Sequence, residues 1–218
     1  MIVRLLMTAI ALTSLSVASL PAAAQPSDAA ATLVLDTPGV WRMYHTFEPP
    51  IIQAKNGDLE PLQFNVTWLD WETPAPPADW TSPEMNDRTW MRGPARRCAR
   101  TPYLSRLCLR GKFEVTDPAA VGDLTVSLEY HGGAVVTMNG KEVGRSHLPA
   151  GKKPAEAMAQ AYPAEAFLDT KGEPVIPSSR GQTAELHART LSLPVPRNLL
   201  RKGINVLAIE IVRAPYPA

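Results

Sequence analysis

The stretch Glu129–Arg145, read as EYHGGAVVTMNGKEVGR, decides the fold. Two short β-rich runs within it are joined by Asn139-Gly140, a dipeptide that accepts positive φ at both central positions of a tight turn and is a strong hairpin signal. Upstream, Leu124–Tyr130 alternates between apolar and polar residues, and His131-Gly132-Gly133 separates it from the hairpin. The pattern predicts a meander of three strands that ends near Arg145.

Outward from this stretch, further runs alternate with the period of a half-buried strand. They are Thr32–Asp36, Trp41–Phe47, Phe64–Trp71, Leu107–Val115, Ala188–Val195 and Asn205–Val212. Apolar residues predicted to face the core are Val126, Leu128, Tyr130, Leu107, Leu109, Phe113, Val115, Leu207, Ile209 and Ile211. With 22 prolines and 13 glycines between the runs, the chain is predicted to be all-β, an antiparallel two-sheet sandwich of jelly-roll type. Residues 146–182 are predicted to be a long loop insertion with a short helical turn within 151–166.

The N-terminus has the pattern of an export signal. Arg4 precedes an apolar run, Leu5–Leu20, and Ala22-Ala23-Ala24 fits a signal-peptidase site. We therefore expect residues 1–24 to be a leader outside the fold and residues 25–218 to be a single domain that is secreted or periplasmic. The alternative is an uncleaved anchor, but the run is shorter than the roughly 20 apolar residues of a membrane span and contains Thr and Ser.

Net charge limits the expected binding partners, and the cysteine content bears on a disulfide. Without Arg4 the 22 basic residues become 21, equal to the 21 acidic ones, so a phosphate backbone would meet no net attraction and nucleic acid is not expected as a partner. No later stretch is apolar enough to span a membrane. Cys98 and Cys108 are the only cysteines, and in an oxidising compartment their even number and short spacing predict a disulfide, with two free thiols as the alternative.

Four motifs occur in an order that resembles the galactose-binding-domain-like β-sandwich, as in the sugar-binding domain of family 2 glycoside hydrolases. They are Asn86-Asp-Arg-Thr-Trp90, Leu109-Arg-Gly-Lys-Phe113, Val136–Gly144 with its Asn-Gly turn, and Leu199–Ala208. The resemblance covers roughly residues 80–212. It implies a sugar-binding or accessory role for a sandwich of this kind. The link between Gly144 and Leu199 is longer than in the family, and the chain ends a few residues past the closing strand.

The motif residues themselves are expected to be structural. Trp90 and Phe113 are most simply core residues, because aromatic side chains are mostly buried. Asp87 is expected to accept hydrogen bonds from nearby amides in the turn that positions Trp90.

No catalytic constellation emerges from the sequence. His131-Gly-Gly133 is similar to an esterase oxyanion loop, but no Gly-x-Ser-x-Gly elbow follows it, and the glycines are better explained as a bend. The carboxylates offer no assignable acid and nucleophile for glycoside hydrolysis, and the four histidines show no metal-ligand spacing. No cofactor or metal is expected. A structural calcium stays open, although no Asp-rich loop specifies one.

Carbohydrate recognition needs an aromatic face for the C–H groups of a sugar and polar partners for its hydroxyls. Loops are where such recognition concentrates. The sequence offers Asp79 and Trp80 in a loop, and Arg145 and His147 after the hairpin. These four residues are the predicted ligand site, at a loop end that the resemblance suggests the two segments share. The alternative is that Trp80 and Trp71 pack beneath the neighbouring Pro-rich segment.

Three functional hypotheses follow. The first is a non-catalytic sandwich module that binds carbohydrate or supports another extracytoplasmic polypeptide. The second is a structural or adhesive cell-surface module that binds protein. The third is a non-catalytic fragment of a glycoside hydrolase. An exposed aromatic beside polar partners would favour the first hypothesis over the second.

Overall fold

The structure is a computed structural model that describes residues 2–9, 31–62, 73–168, 172 and 187–217. Its strands are β1 (Ile2–Ala9), β2 (Thr32–Asp36), β3 (Trp41–Phe47), β4 (Ile51–Gln53), β5 (Leu59–Pro61), β6 (Met91–Gly93), β7 (Leu104–Val115), β8 (Val121–Tyr130), β9 (Gly133–Met138), β10 (Lys141–Ser146), β11 (Arg189–Pro194), β12 (Gly203–Val212) and β13 (Tyr216–Pro217). Short 3-10 turns lie at Ala95–Arg97, Pro118–Ala120, Pro154–Glu156, Ala164–Phe167 and Arg197–Leu199. None of the helical segments in the described ranges has the length and apolar character to cross a membrane.

Two antiparallel sheets pack face to face, as the alternation predicted. Sheet A has the order β11-β8-β1-β2 and sheet B the order β10-β9-β12-β7-β3-β6. A third, small sheet has the order β13-β4-β5, in which β13 pairs with β4 in parallel. The architecture is therefore the predicted all-β sandwich.

The inner core lies between sheets A and B and contains the predicted inward-facing residues. Leu107, Leu109, Phe113 and Val115 of β7 are buried in it, as are Leu207 and Ile209 of β12 and Val126, Leu128 and Tyr130 of β8, while Ile211 packs against it partly buried. Gly111 is required here because a Cβ at this position would lie 2.7 Å from the ring of Trp41. Trp41, at 0% exposed, thus fills the space above β7.

The predicted three-strand meander is wrong in one respect. β9 and β10 form the hairpin, with Asn139 and Gly140 at φ 50° and 80°, but β8 belongs to sheet A and β9 to sheet B. The chain crosses between the sheets at His131-Gly132. Gly132 adopts φ 82°, and a Cβ there would come within 2.0 Å of the carbonyl oxygen of Val212. Alternation predicts which residues share a face, but it does not say whether consecutive strands share a sheet.

The outer face of sheet B is covered rather than solvated. Trp80, Met85 and Trp90 of the segment 77–90 pack on Cys108, Val206 and Ala208 and form a second apolar cluster. Cys108 and Arg110 alternate with the inward-facing residues of β7 and point away from sheet A, yet they are 0% and 1% exposed because this segment covers them.

The predicted disulfide is not formed. Cys98 and Cys108 are both free thiols. Cys98 packs against the inner core, whereas Cys108 lies in the outer cluster, so the two thiols lie on opposite sides of sheet B. The short spacing of the two cysteines in sequence does not show this separation. Side chains alternate along β7, and Cys108 lies on its outer face.

The N-terminal residues are a strand in this structure. Ile2–Ala9 form β1, which pairs with both β8 and β2. Cleavage after Ala24 stays a prediction, and residues 10–30 lie outside the described residues. So does the predicted strand Phe64–Trp71, with Trp68 and Trp71.

Candidate functional site

Trp80, the predicted aromatic anchor, is a packing residue in this structure. It is 7% exposed, and its ring stacks on that of Trp90 with centroids 6.0 Å apart. The Trp90 ring in turn contacts Tyr44, at 5.1 Å. Asp79 beside it is exposed. Trp80 therefore offers no open ring face for a sugar while the segment 77–90 stays on the sheet.

A buried ion cluster fastens this segment to sheet B. Asp87 is 3% exposed. Its carboxylate forms ion pairs with Nε of Arg110 at 3.0 Å and with Nζ of Lys112 at 2.8 Å. Arg110 also donates to the carbonyl oxygens of Trp80 and of Ser82, the latter at 2.9 Å. Although burial opposes ionisation of Asp87, the hydrogen bonds from Lys112 and Arg110 hold its pKa below the usual value. Asp87 thus accepts from cationic side chains rather than from the amides that the sequence predicted.

The Arg145 side chain is hydrogen-bonded to residues close to it in sequence. Its guanidinium makes two hydrogen bonds to the carboxylate of Glu142, one of them from Nε at 2.6 Å, and donates to the carbonyl of Lys152 at 2.7 Å. Arg145 lies on β10 and Trp80 lies over β7 and β12. Three strand spacings, about 14 Å, separate β10 from β7. Within the described contacts, Arg145 and Trp80 share no partner, so the structure does not bring these two predicted site residues together.

His147 takes part in a different arrangement. It has φ 56°, and its Nδ1 lies 2.8 Å from the hydroxyl of Tyr130 and 3.0 Å from that of Ser146. Burial, and then the nearby positive charge of Arg189, lower its pKa. His147 therefore stays neutral at pH 7, with its position fixed by the last residue of β8.

Around His147, the segments at one end of the sandwich bring together side chains that are far apart in sequence. We call this set the histidine end: Tyr130, His131, His147, Tyr162, Phe167, His187, Arg189 and Tyr216. It includes three of the four histidines of the chain. It lies where β8 turns into β9, beside the described part of the long insertion and the segment that follows β12.

Tyr162 is the centre of the histidine end. Its hydroxyl accepts from the amide of Gly132 at 2.7 Å and donates to the carbonyl of His187 at 2.8 Å. Arg189 lies over its ring, 3.8 Å from the centroid, and donates to the carbonyl of Gly132 at 2.8 Å. The cation on the aromatic face and the hydroxyl bonds hold the insertion against the bend between the two sheets.

The outer part of the histidine end is a row of rings. His131 and His187 stack at 6.3 Å between centroids, His187 contacts Phe167 edge-on at 4.7 Å, and Phe167 lies 6.3 Å from Tyr216. His131 is exposed and Tyr216 is 39% exposed. The row therefore ends in two rings that solvent reaches.

Chemically, the histidine end offers aromatic faces, hydroxyl and imidazole groups, and the guanidinium of Arg189, which donates to backbone carbonyls. Partial burial is the main cause that lowers the pKa of His131, so its imidazole at pH 7 both donates and accepts. Across the residues that the structure describes, no group of three or more His, Cys, Asp or Glu side chains has the geometry to hold a metal ion. The arrangement suits binding of a polyhydroxylated ligand.

Sequence reasoning reached only His147 of this set as a site residue. It treated His131 as part of a bend and left Tyr162, Phe167, His187 and Tyr216 out. A signal was available, because three histidines flank either the bend at 131–133 or the ends of the insertion. Ligand binding at Asp79, Trp80, Arg145 and His147 together stays a prediction, and the structure places Asp79 and Trp80 apart from Arg145 and His147.

The fold and the histidine end together define a β-sandwich module with a ring-lined loop end. No protein-family model matches the chain, and no curated protein matches it significantly. Among solved structures, the chain is similar to a β-glucuronidase of Bifidobacterium dentium complexed with coumarin-3-O-glucuronide, with 11% sequence identity and a TM-score of 0.37. The match covers 80% of this chain and 19% of that one, so the chain spans about a fifth of the length of that enzyme.

Proposed function

We propose that the protein is a non-catalytic β-sandwich module, secreted or periplasmic, that binds carbohydrate at the histidine end and acts as an accessory to other polypeptides. The single observation that carries the proposal is the row of rings that ends in His131 and in Tyr216, which is 39% exposed. The sequence motifs that resemble a sugar-binding sandwich support the same role.

The chemistry of the histidine end favours a sugar as ligand. Sugar rings present C–H faces that stack on aromatic rings, and their hydroxyls pair with groups that both donate and accept. Tyr216 and Phe167 supply the first property. The neutral imidazole of His131 supplies the second, since its pKa is lowered by burial. An exposed aromatic beside a polar partner is the feature that separates a sugar-binding module from an adhesive one.

The experiment is a glycan-array screen of the exported protein, followed by calorimetric titration of the best glycan. Tyr216→Ala and His131→Ala should each weaken binding about tenfold or more, the scale of a lost anchor. Ile204→Ala is the matched control, because Ile204 is 48% exposed but lies in β12 near the opposite end. Its affinity should equal that of the wild type. An array without any bound glycan, or equal affinity in all four proteins, would contradict the proposal.

A further inference from the structure

Strand β1, an interior strand of sheet A, is formed by residues of the predicted leader. Ile2–Ala9 lie between β8 and β2, and the register places Leu5 opposite Val126 on one side and Leu35 on the other. Leu5 is 0% exposed and belongs to the inner core. The same eight residues begin the predicted leader. If the leader is removed, an interior strand of the sandwich leaves with it.

Without β1, a gap would lie between β8 and β2, and its geometry defines which segment fits it. β1 is antiparallel to both β8 and β2, so these two strands run parallel to each other about 9.6 Å apart, two strand spacings. At that distance they do not hydrogen-bond directly. An empty gap would expose two facing rows of backbone N–H and C=O groups and the space of a buried leucine.

β2 is not free to close the gap. The carbonyl oxygen of Asp36, its last residue, accepts from the indole of Trp41 at 2.8 Å and from the amide of Gly39 at 3.3 Å. Leu35 reaches the backbone of β7, since a Cβ on Gly111 would lie 2.8 Å from its Cδ1. Moving β2 by one strand spacing toward β8 would break the contacts with Trp41 and Gly111.

We propose that the gap between β8 and β2 is an acceptor site for an extended β-strand, and that in the processed protein it takes an apolar strand of a partner polypeptide. Such a strand has about eight residues, runs antiparallel to β8, places an apolar side chain at the position of Leu5 and contains no interior proline. β1 is the occupant in the unprocessed chain and shows the chemistry that the site accepts. Strand addition of this kind obtains its affinity from main-chain hydrogen bonds and its selectivity from alternate side chains. The proposal does not depend on carbohydrate binding.

The test uses the full chain and a fluorescent peptide of residues 2–9. Leu5→Pro should displace β1, because proline removes an N–H and disrupts a central strand. The variant should bind the peptide, whereas the wild type, with the site filled, should bind it at least 100-fold more weakly. A peptide that itself carries proline at the central position is the control and should not bind. Because β8 also pairs with β11, only the amides of residues 121–130 that point toward β1 report on the gap. Their hydrogen exchange should be fast in the free variant and slow again with peptide.

Two results would overturn the proposal. One is a monomeric variant that binds no peptide and keeps the β1-facing amides of residues 121–130 protected, since another segment of the same chain then fills the gap. The other is a variant that dimerises in light scattering and loses peptide binding, since a second copy is then the occupant.

A second variant keeps the test informative if Leu5→Pro does not fold. A protease site placed between Ala24 and Gln25 allows the leader to be cut after the full chain has folded. Native mass spectrometry should then find residues 1–24 still bound without a covalent link, or replaced by added peptide. If the cut protein loses its fold, the peptide should restore it. A cut protein that holds no strand and keeps the β1-facing amides of residues 121–130 protected would count against the site. So would a cut protein whose fold the peptide does not restore.

Discussion

At the scale of single residues, Asp87 shows how the motif residues act in the structure. Its carboxylate joins the turn before Trp90 to Arg110 and Lys112 of β7. The Asn86–Trp90 motif and the Leu109–Phe113 motif, read from the sequence as separate signals, are thus two halves of one ion cluster. Arg110 has a side chain that is 0% exposed, so the cation depends on this partner for its charge compensation.

Asp87→Asn should therefore destabilise the protein strongly. Removing one partner of a buried ion pair costs about 3–5 kcal/mol, because the remaining charge stays buried. The free energy of unfolding from urea titrations measures the loss. Glu142→Gln is the control, since the Glu142–Arg145 pair is more exposed, at 40% and 21% of each side chain, and should cost less than about 1 kcal/mol. Equal losses for the two variants would contradict the assignment.

The histidines predict how stability depends on pH. Burial is the largest cause that lowers the pKa of His45, His131 and His147. Folding then favours the neutral imidazole, so this contribution is complete above the unfolded pKa of about 6.5 and is lost as the pH falls through the lowered values. The urea midpoint should drop between pH 7 and pH 5. His147→Gln should flatten the drop, and a drop of unchanged size would show that His147 does not contribute.

At the scale of elements, the other two motifs are also joined to each other. Asn139 of the hairpin donates through Nδ2 to Oδ1 of Asn205 at 2.7 Å, and its own Oδ1 accepts from the amide of Val206 at 2.8 Å. Asn205, 0% exposed, also accepts from the amide of Arg201 and donates to its carbonyl, at 2.9 and 2.8 Å. The hairpin turn is therefore fixed to the start of β12.

Asn205→Ala should remove this connection. The buried partners left without a hydrogen bond cost about 1–3 kcal/mol each, and we expect a loss of about 2–4 kcal/mol in the free energy of unfolding. Asn56→Ala is the matched control. The amide of Asn56 bonds only within an exposed turn, to Asp58, and its removal should cost less than about 1 kcal/mol. Thermal and urea unfolding of both variants decide the outcome.

The elements were predictable to the extent that local pattern defines them. Alternation predicted β7, β8 and β12 and their inner faces, and Asn139-Gly140 predicted the hairpin. The sheet to which β8 belongs was not predictable from local pattern. The chain crosses between the sheets at Gly132, where the backbone of Val212 packs closely against it, and this contact joins residues far apart in sequence. Burial of the outer face of β7 was not predictable either, since the covering segment 77–90 has no periodic pattern of its own.

The cysteines allow a direct check of the two sides of sheet B. Cys108 is 0% exposed, and burial, with a smaller effect of Glu210, raises the pKa of its thiol. Cys98 is only partly buried. In the native protein without reductant, iodoacetamide should modify Cys98 and leave Cys108 intact until urea is added. Mass spectrometry that finds neither thiol alkylatable in urea would show the bridge instead.

At the scale of the whole molecule, the described residues form two apolar layers and a ring-lined end. Strands β7 and β12 contribute to both layers, with inner faces toward sheet A and outer faces toward the segment 77–90. The candidate site lies elsewhere, where the insertion meets the bend after β8. Ligand binding on loops stays a prediction. The residues of the histidine end converge only through tertiary structure, so neither motif nor spacing identified them.

This separation predicts that stability and binding respond to different substitutions. Trp80→Ala removes a large buried ring and should lower the free energy of unfolding by about 3–5 kcal/mol. Since Trp80 has no described contact with the histidine end, glycan affinity measured at a temperature where the variant is folded should not change. Tyr216→Ala should do the reverse, because a side chain that is 39% exposed contributes little to the core but is open to a ligand. Calorimetric titration and urea unfolding on both variants complete the comparison. If Trp80→Ala weakened binding while its stability stayed at the wild-type value, the ligand would contact the segment 77–90, and the assignment of the site to the histidine end would be wrong.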